Sequence, residues 1–361
     1  MATLLAVLAG CGGDESPDRI FLATGLTEFD PATLTGPRGR ALRPRYARVY
    51  VLWSAVQPAA GARPDWDVAG TGGFGARAQL RAVRAVGAEP VVTFFSTPAW
   101  AAQPPLGCEP PRPNVNARAP RADALPAYRA LVAGFLRMAR AEDVDVRYLS
   151  AWNEPNSGLF LAPQRGQCAV ASPAVGAAAY TALVRSLRAA LDAAPGEQEI
   201  VLGETSSPYE PRPIISSVNE FLTRLPRDVL CAGDVWAQHQ YAGDANGIAE
   251  LKGLLARTPC APRRIWVTET GAGARRPGAA VSRTGARRRA ACRELHVLLR
   301  RWHRDRQVEI AFQFTLREDP PCPGGRAAPE GEPVVPTYAL WRAWSVRGDD
   351  DPPPELPGEC R

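Results

Sequence analysis

Short runs of apolar and β-branched residues recur along the chain. Between them lie longer stretches in which Ala, Leu and Val return every three or four positions. The short runs read as buried strands and the longer stretches as amphipathic helices. Strands are expected at 20–24, 47–53, 89–95, 146–152, 199–204, 234–241, 264–269 and 309–314. Helices are expected at 75–86, 127–141, 175–194, 213–224, 247–257 and 286–304, and the segment 337–344 closes the series. The first crossover, 30–46, is rich in Pro and Gly and carries the weakest helical pattern. Eight strands alternating with helices predict a (β/α)8 fold, a TIM barrel with lengthened loops. Two Rossmann-like halves would use the same alternation, but they need a Gly-rich phosphate turn after the first strand, and this chain has none.

The barrel is expected over 18–346, with a leader and short linker over 1–17 and an irregular tail over 347–361. The Pro-rich stretches 98–122 and 157–173 follow strands three and four. They are read as cleft walls on the face where such barrels carry their sites. The apolar run MATLLAVLAG ends at Cys11 and resembles a bacterial lipoprotein signal, although no Lys or Arg precedes it. On that reading the protein is exported. It is either secreted or held at the cell envelope through a lipid on Cys11, its one contact with a membrane. No apolar run reaches the ~18–20 residues of a spanning helix.

Composition narrows the classes further. Of the 361 residues 45 % are apolar and 22 % charged, the balance of a folded chain rather than a disordered one. The formal charge is +6, yet Lys252 is the single lysine, and no basic stripe or aromatic-interleaved patch marks a nucleic-acid surface. The Arg excess fits a GC-rich genome. No zinc spacing, Walker loop or GxGxxG is present, which disfavours a nucleotide or structural-zinc protein.

The chemistry sits at strand ends. Trp152-Asn153-Glu154-Pro155-Asn156 ends the fourth strand and Trp266-Val267-Thr268-Glu269-Thr270-Gly271 the seventh. Glu154 and Glu269 are 115 residues apart, a spacing of three βα units, so they should face each other across the barrel mouth. Two carboxyls flanking one cleft are what glycoside hydrolysis needs: one protonates the leaving oxygen while the other attacks or activates water. A Glu capping the next helix is the bland explanation of either motif alone. Two matched strand ends favour the chemical one. His239 and Tyr241, two apart on strand six, should point to the same side. Arg48 lies within an apolar strand, where it needs a carboxylate partner. Glu204, in LGETSS at the end of strand five, is read first as a cap or loop acceptor and second as a contact for a substrate hydroxyl. The arginines of the seventh loop (Arg275, Arg276 and Arg287 to Arg289) read first as a solvated helix start and second as a site for an anionic sugar.

AWNEPN, HQY, VTETG, the RVYVLW strand and the TPAW turn resemble glycoside hydrolases of clan A over about 18–346. Family 39 is closest in motif and family 5 cellulase-like proteins are next. The resemblance implies a retaining hydrolase of β-glycosidic bonds, and that chemistry implies neither a metal nor an organic cofactor. Glu154 would be its acid/base and Glu269 its nucleophile. Asn153 would bind the sugar's 2-hydroxyl, Tyr241 and Arg48 would flank Glu269, and His239 would line the subsite at the scissile bond. Two features depart from the pattern. Strand eight offers Phe312, Phe314 and Arg317 where many clan members place a Trp, and LSAW lacks the acidic residue family 39 carries ahead of WNEP. Trp53 and Trp100 are the alternative sugar platforms, with core packing as their competing role. A surface protein that binds glycans on a barrel without catalysis is the alternative function.

Eight cysteines without a CxxC pair fit an oxidising compartment. Loop positions in a barrel pair Cys108 with Cys168, Cys231 with Cys260 and Cys292 with Cys322. Cys360 is left alone or competes for Cys322.

Overall fold

The computed structural model describes residues 22–70, 73–107, 115–207, 210–241, 247–260, 263–272, 285–315, 336–348 and 351–361. Eight parallel strands close into a barrel in sequence order. They are β1 (Ala23–Thr27), β2 (Tyr46–Leu52), β3 (Glu89–Phe95), β4 (Tyr148–Ser150), β5 (Glu199–Thr205), β6 (Val235–His239), β7 (Arg264–Thr270) and β8 (Val308–Phe314), and β8 pairs back onto β1. The helices are α1 (Pro31–Thr35), α2 (Pro37–Leu42), α3 (Trp53–Val56), α4 (Ala76–Ala85), α5 (Leu125–Ala141), α6 (Gly176–Asp192), α7 (Val218–Thr223), α8 (Arg227–Leu230), α9 (Gly247–Leu255), α10 (Gly285–His303) and α11 (Pro336–Ser345). The chain is therefore a (β/α)8 TIM barrel. The Pro- and Gly-rich first crossover folds as the two short helices α1 and α2. Each has Pro in its first turn, and the Asp30 side chain caps α1.

Period-two alternation sorts the strand residues into two cores. One side packs outward against the helices and forms the larger apolar cluster. The other fills the barrel with Val91, Tyr148, Val201, Val235, Trp266, Ile310 and Phe312. Gly25 is required there, because a Cβ on it would lie 2.2 Å from the Phe312 ring. This apolar plug separates the charged groups at the C-terminal ends of the strands from a second set at the N-terminal ends, where Arg264 pairs with Glu199 and Glu309.

Two disulfides pin the outside. Cys231 and Cys260 are bonded, with Cα atoms 5.5 Å apart, as their loop positions suggested. The other pairing differs from expectation. Cys292 is bonded to Cys360, not Cys322, and Cys360 is not left over. Cys292 is fully buried, on the side of α10 that packs against α11 and the short turn Gly358–Cys360. Arg293 Nη1 also donates to the Cys360 carbonyl, so the tail is docked rather than loose. Cys168 is disulfide-bonded. Its expected partner Cys108, together with Cys11, Cys322, Arg275, Arg276 and Arg317, lies outside the described residues. Among those residues, no helix is long and apolar enough to cross a membrane.

Candidate active site

At the C-terminal mouth of the barrel, inward side chains from six strand ends meet around two carboxylates. Glu269, in β7, accepts from three donors: Arg48 Nη1 (3.0 Å), the Tyr50 hydroxyl (2.6 Å) and the Tyr241 hydroxyl (2.8 Å). Such a shell suits a group that only accepts. Burial pushes both phenols well above the ordinary tyrosine value, opposed at Tyr50 by the charge of Arg48 and reinforced at Tyr241 by that of Glu269, so both remain donors. Among the described residues Glu154 has one side-chain hydrogen-bond partner, His239, whose Nδ1 lies 2.9 Å from its Oε1. At 18 % its side chain is more exposed than that of Glu269 at 10 %, so it opens toward the mouth. One oxygen of each carboxylate lies within 4.8 Å of the other.

The loop carrying Glu154 is fixed by its own motif. Glu154 takes a left-handed φ of 39° and donates its N–H to the Glu204 carbonyl. Asn156 ties this loop to the one after β5: its amide nitrogen donates to the Ser206 and Ser216 carbonyls, and its oxygen accepts from the Ser206 N–H. Trp152 is buried and donates to the Phe160 carbonyl. Asn153 turns its oxygen toward Arg48 Nη2 and the Tyr50 hydroxyl, each 3.4 Å away.

Arg48 is fully buried between two carboxylates, Glu269 and Glu204, and also donates to the Thr268 carbonyl. Burial works against its charge, but Glu204, Tyr50 and Glu269 outweigh that and raise its pKa further. His239 bridges Glu154 and Glu204 through its two ring nitrogens, and its Nδ1 lies 3.4 Å from Glu269. Burial disfavours the imidazolium. The charge of Glu269 and the hydrogen bonds to Glu154 and Glu204 win, and its pKa is pushed up from 6.5 to about 9. Glu154, His239 and Glu269 lie close enough to hold a cation. A cation there would have to displace the proton that the raised pKa of His239 favours on the ring nitrogen facing both carboxylates.

A raised histidine pKa stabilises the fold below the unfolded value of about 6.5, and that stability is lost as pH rises through about 9. The full contribution is on the order of 3 kcal/mol. Urea unfolding of wild type and His239→Gln should therefore show a stability gap that shrinks between pH 7 and 10. A gap that stays constant or widens would contradict the assignment.

The other sequence candidates separate. Trp53 is fully buried, donates to Gln57 and packs edge-on against Trp100 and Tyr128, so it offers no face to a sugar. Trp100 is half-buried and donates to the Gln57 carbonyl. Phe312 fills the barrel, whereas Phe314 stands half-buried at the rim against Phe29. Phe29 and Phe95 flank Tyr50, and Phe160 extends the row beyond Phe95, an aromatic arc beside Glu269 that the motifs did not single out. Tyr50 was missed too, although it lies two positions from Arg48 and so shares its inward side. Glu204 neither caps a helix nor reaches the cleft. It is fully buried among Arg48, His239, Thr93 and Thr268.

No protein-family model matches the sequence, and no curated protein matches it either. Solved structures do match over nine-tenths of the chain. The family 39 β-xylosidase from Caulobacter crescentus shares 18 % identity, covers 90 % of this chain and 71 % of its own, and superposes with a TM-score of 0.58. A family 39 glycoside hydrolase from Bacteroides cellulosilyticus WH2 shares 15 % identity over 90 % of this chain and 63 % of its own, with a TM-score of 0.57. The GH30 endoxylanase from Clostridium papyrosolvens C71 shares 14 % identity over 90 % and 72 %, with a TM-score of 0.54. The fold of this chain is thus the barrel of those glycoside hydrolases, family 39 among them, as the strand-end motifs implied.

Proposed function

We propose that this protein is a retaining β-glycosidase that hydrolyses oligo- or polysaccharides by double displacement. The observation that carries the reading is that Glu154 and Glu269 bring one carboxylate oxygen each to within 4.8 Å of the other across one cleft. Retaining enzymes hold their carboxyls ~5–5.5 Å apart, whereas inverting ones need ~6.5–9.5 Å to admit a water. In the first step Glu154 protonates the glycosidic oxygen as Glu269 attacks the anomeric carbon, so the carbon–oxygen bond to the leaving group breaks and an ester to Glu269 forms. In the second, Glu154 takes a proton from water, the water oxygen attacks the same carbon, and Glu269 leaves. Arg48, Tyr50 and Tyr241 hold Glu269 at a fixed angle throughout. Asn153, with its oxygen turned to Arg48 and Tyr50, has amide hydrogens to offer a sugar hydroxyl. Phe29, Phe95 and Phe314 supply apolar faces. The disulfides among the described cysteines support action outside the cytoplasm, and Cys11 would be the anchor if the leader is processed as a lipoprotein signal.

A panel of aryl β-glycosides tests the reading, beginning with β-xylosides because the neighbours include a β-xylosidase and an endoxylanase. Release of the aryl group, with the anomeric configuration retained by NMR, is the expected outcome. Glycan binding without cleavage of any panel member would favour the non-catalytic binder, and an inverted product would refute the double displacement.

A further inference from the structure

Glu204 is a carboxylate that no substrate can touch. It is fully buried beneath Glu154 and Glu269, and every atom bonded to its carboxylate is a donor. Its Oε2 accepts from Arg48 Nη2 (2.8 Å), Thr268 Oγ1 (2.9 Å) and His239 Nε2 (3.0 Å), and its Oε1 accepts from Thr93 Oγ1 (3.2 Å). Strict alternation along β5 would send this side chain outward, since Val201 points inward. A shift of register between Gly203 and Thr205, with left-handed φ at Gly203 (84°) and Glu204 (55°), turns it into the barrel instead. A non-glycine residue held at positive φ, with a fully buried charge, is an arrangement the fold maintains only under constraint.

We propose that Glu204 is a positioning residue for both catalytic groups: it fixes the imidazole of His239 so that Nδ1 faces Glu154, and it anchors the guanidinium that holds Glu269. The proposal rests on the assignment of Glu154 and Glu269 given above. Its logic is that of hydrogen-bond complementarity. The Glu204 carboxyl is opposed by burial but held below the usual carboxylate range by Arg48 and by the bonds from His239 and Thr268. It therefore stays an acceptor, and Nε2 of His239 keeps its hydrogen in both protonation states of the ring. Proton exchange is then confined to Nδ1, which faces Glu154 Oε1 at 2.9 Å and Glu269 Oε2 at 3.4 Å. The charged and titratable groups around the ring are Glu154 from the loop after β4, Glu204 from β5 and Glu269 from β7. Arg48 from β2 stands behind Glu204 and Glu269, and Tyr241 caps the outer oxygen of Glu269. With its ring so pinned, His239 exchanges a proton with the acid/base residue along one fixed line.

The chain has three histidines, so nitrogen-15 NMR can follow His239 by itself, assigned through a His239→Gln spectrum. In wild type the ring should be an imidazolium at neutral pH and become the Nε2–H tautomer as pH passes about 9. In Glu204→Gln the His239 midpoint should fall by a pH unit or more. The alkaline limb of kcat/KM for a substrate with a poor leaving group should fall with it, while KM changes little. An unmoved midpoint in a folded variant would overturn the proposal, and so would a neutral wild-type ring protonated at Nδ1. That wild-type measurement decides the matter even if Glu204→Gln does not fold. The NMR readout needs no turnover, so a protein that cleaves nothing would refute the glycosidase reading while the hold of Glu204 on His239 is decided separately.

Discussion

Glu154→Ala should still form a glycosyl intermediate from a dinitrophenyl glycoside and then stall. Protonating the leaving oxygen matters little when the leaving group is already a stable anion, so the first displacement survives the loss of the acid. The second needs a base to deprotonate water, and the variant has none. Turnover of poorly activated substrates should drop by about 10²–10⁴, the usual worth of a general acid–base residue. Azide needs no deprotonation and fits the space the side chain leaves, so it should restore turnover and give the β-glycosyl azide. Glu269→Ala removes the nucleophile itself, with a loss at least as large that no leaving group repairs. Azide entering from the vacated side would displace the leaving group directly and give the α-product. The two variants thus distinguish the roles by the configuration of one product. An α-azide from Glu154→Ala with a β-azide from Glu269→Ala would reverse the assignment. Glu154 is partly exposed, and truncating the buried Glu269 leaves Arg48 paired with Glu204, so both variants should fold.

The barrel and the two glutamates were legible because they rest on regular features. Alternation of strands and helices sets the fold, and the end of a strand sets which face a residue occupies. Arg48 stood out as a charge within an apolar strand, and the period of two puts Tyr50 on the same side. The same period places Trp53 outward: it is five residues beyond Arg48, on the helix side, where it packs against Tyr128. What the pattern does not reveal is where the strands depart from it. Glu204 turns inward at a register shift in β5. Thr268 and Glu269 are adjacent, yet both bond to inward groups, because β7 is out of regular register with β8 between Val267 and Thr270 and β6 shifts against β7 at His239. These irregularities lie at the catalytic end of the barrel and lack a marker in residue type apart from Gly203. The Cys292–Cys360 bond was illegible for another reason. The tail has no periodicity to place it, and its docking against α10 and α11 is decided by tertiary packing alone.

Replacing Arg48 by Met should destabilise the protein by about 3–5 kcal/mol, the usual cost of leaving a buried charge without its partner. The guanidinium is fully buried and holds two carboxylates at 2.8 Å and 3.0 Å. Without it Glu204 keeps His239, Thr268 and Thr93, but it then repels Glu269 across a buried site. The sign of the pH dependence follows from Glu204, whose pKa Arg48 helps to lower in the folded state. A depressed carboxylate contributes stability above its unfolded pKa of about 4.3, and that stability is lost as pH falls through the folded value. The gap between wild type and Arg48→Met should therefore be widest near neutrality and close as the solution is acidified, when the unpaired carboxylates can take up protons. Urea denaturation from pH 7 down through and below the unfolded carboxylate value measures it. Adding Glu204→Gln to Arg48→Met removes one of the two stranded charges, so the double variant should be more stable than Arg48→Met alone at pH 7. If the double variant is instead less stable by the sum of the two single losses, the charges act independently and the buried network described here does not exist in solution.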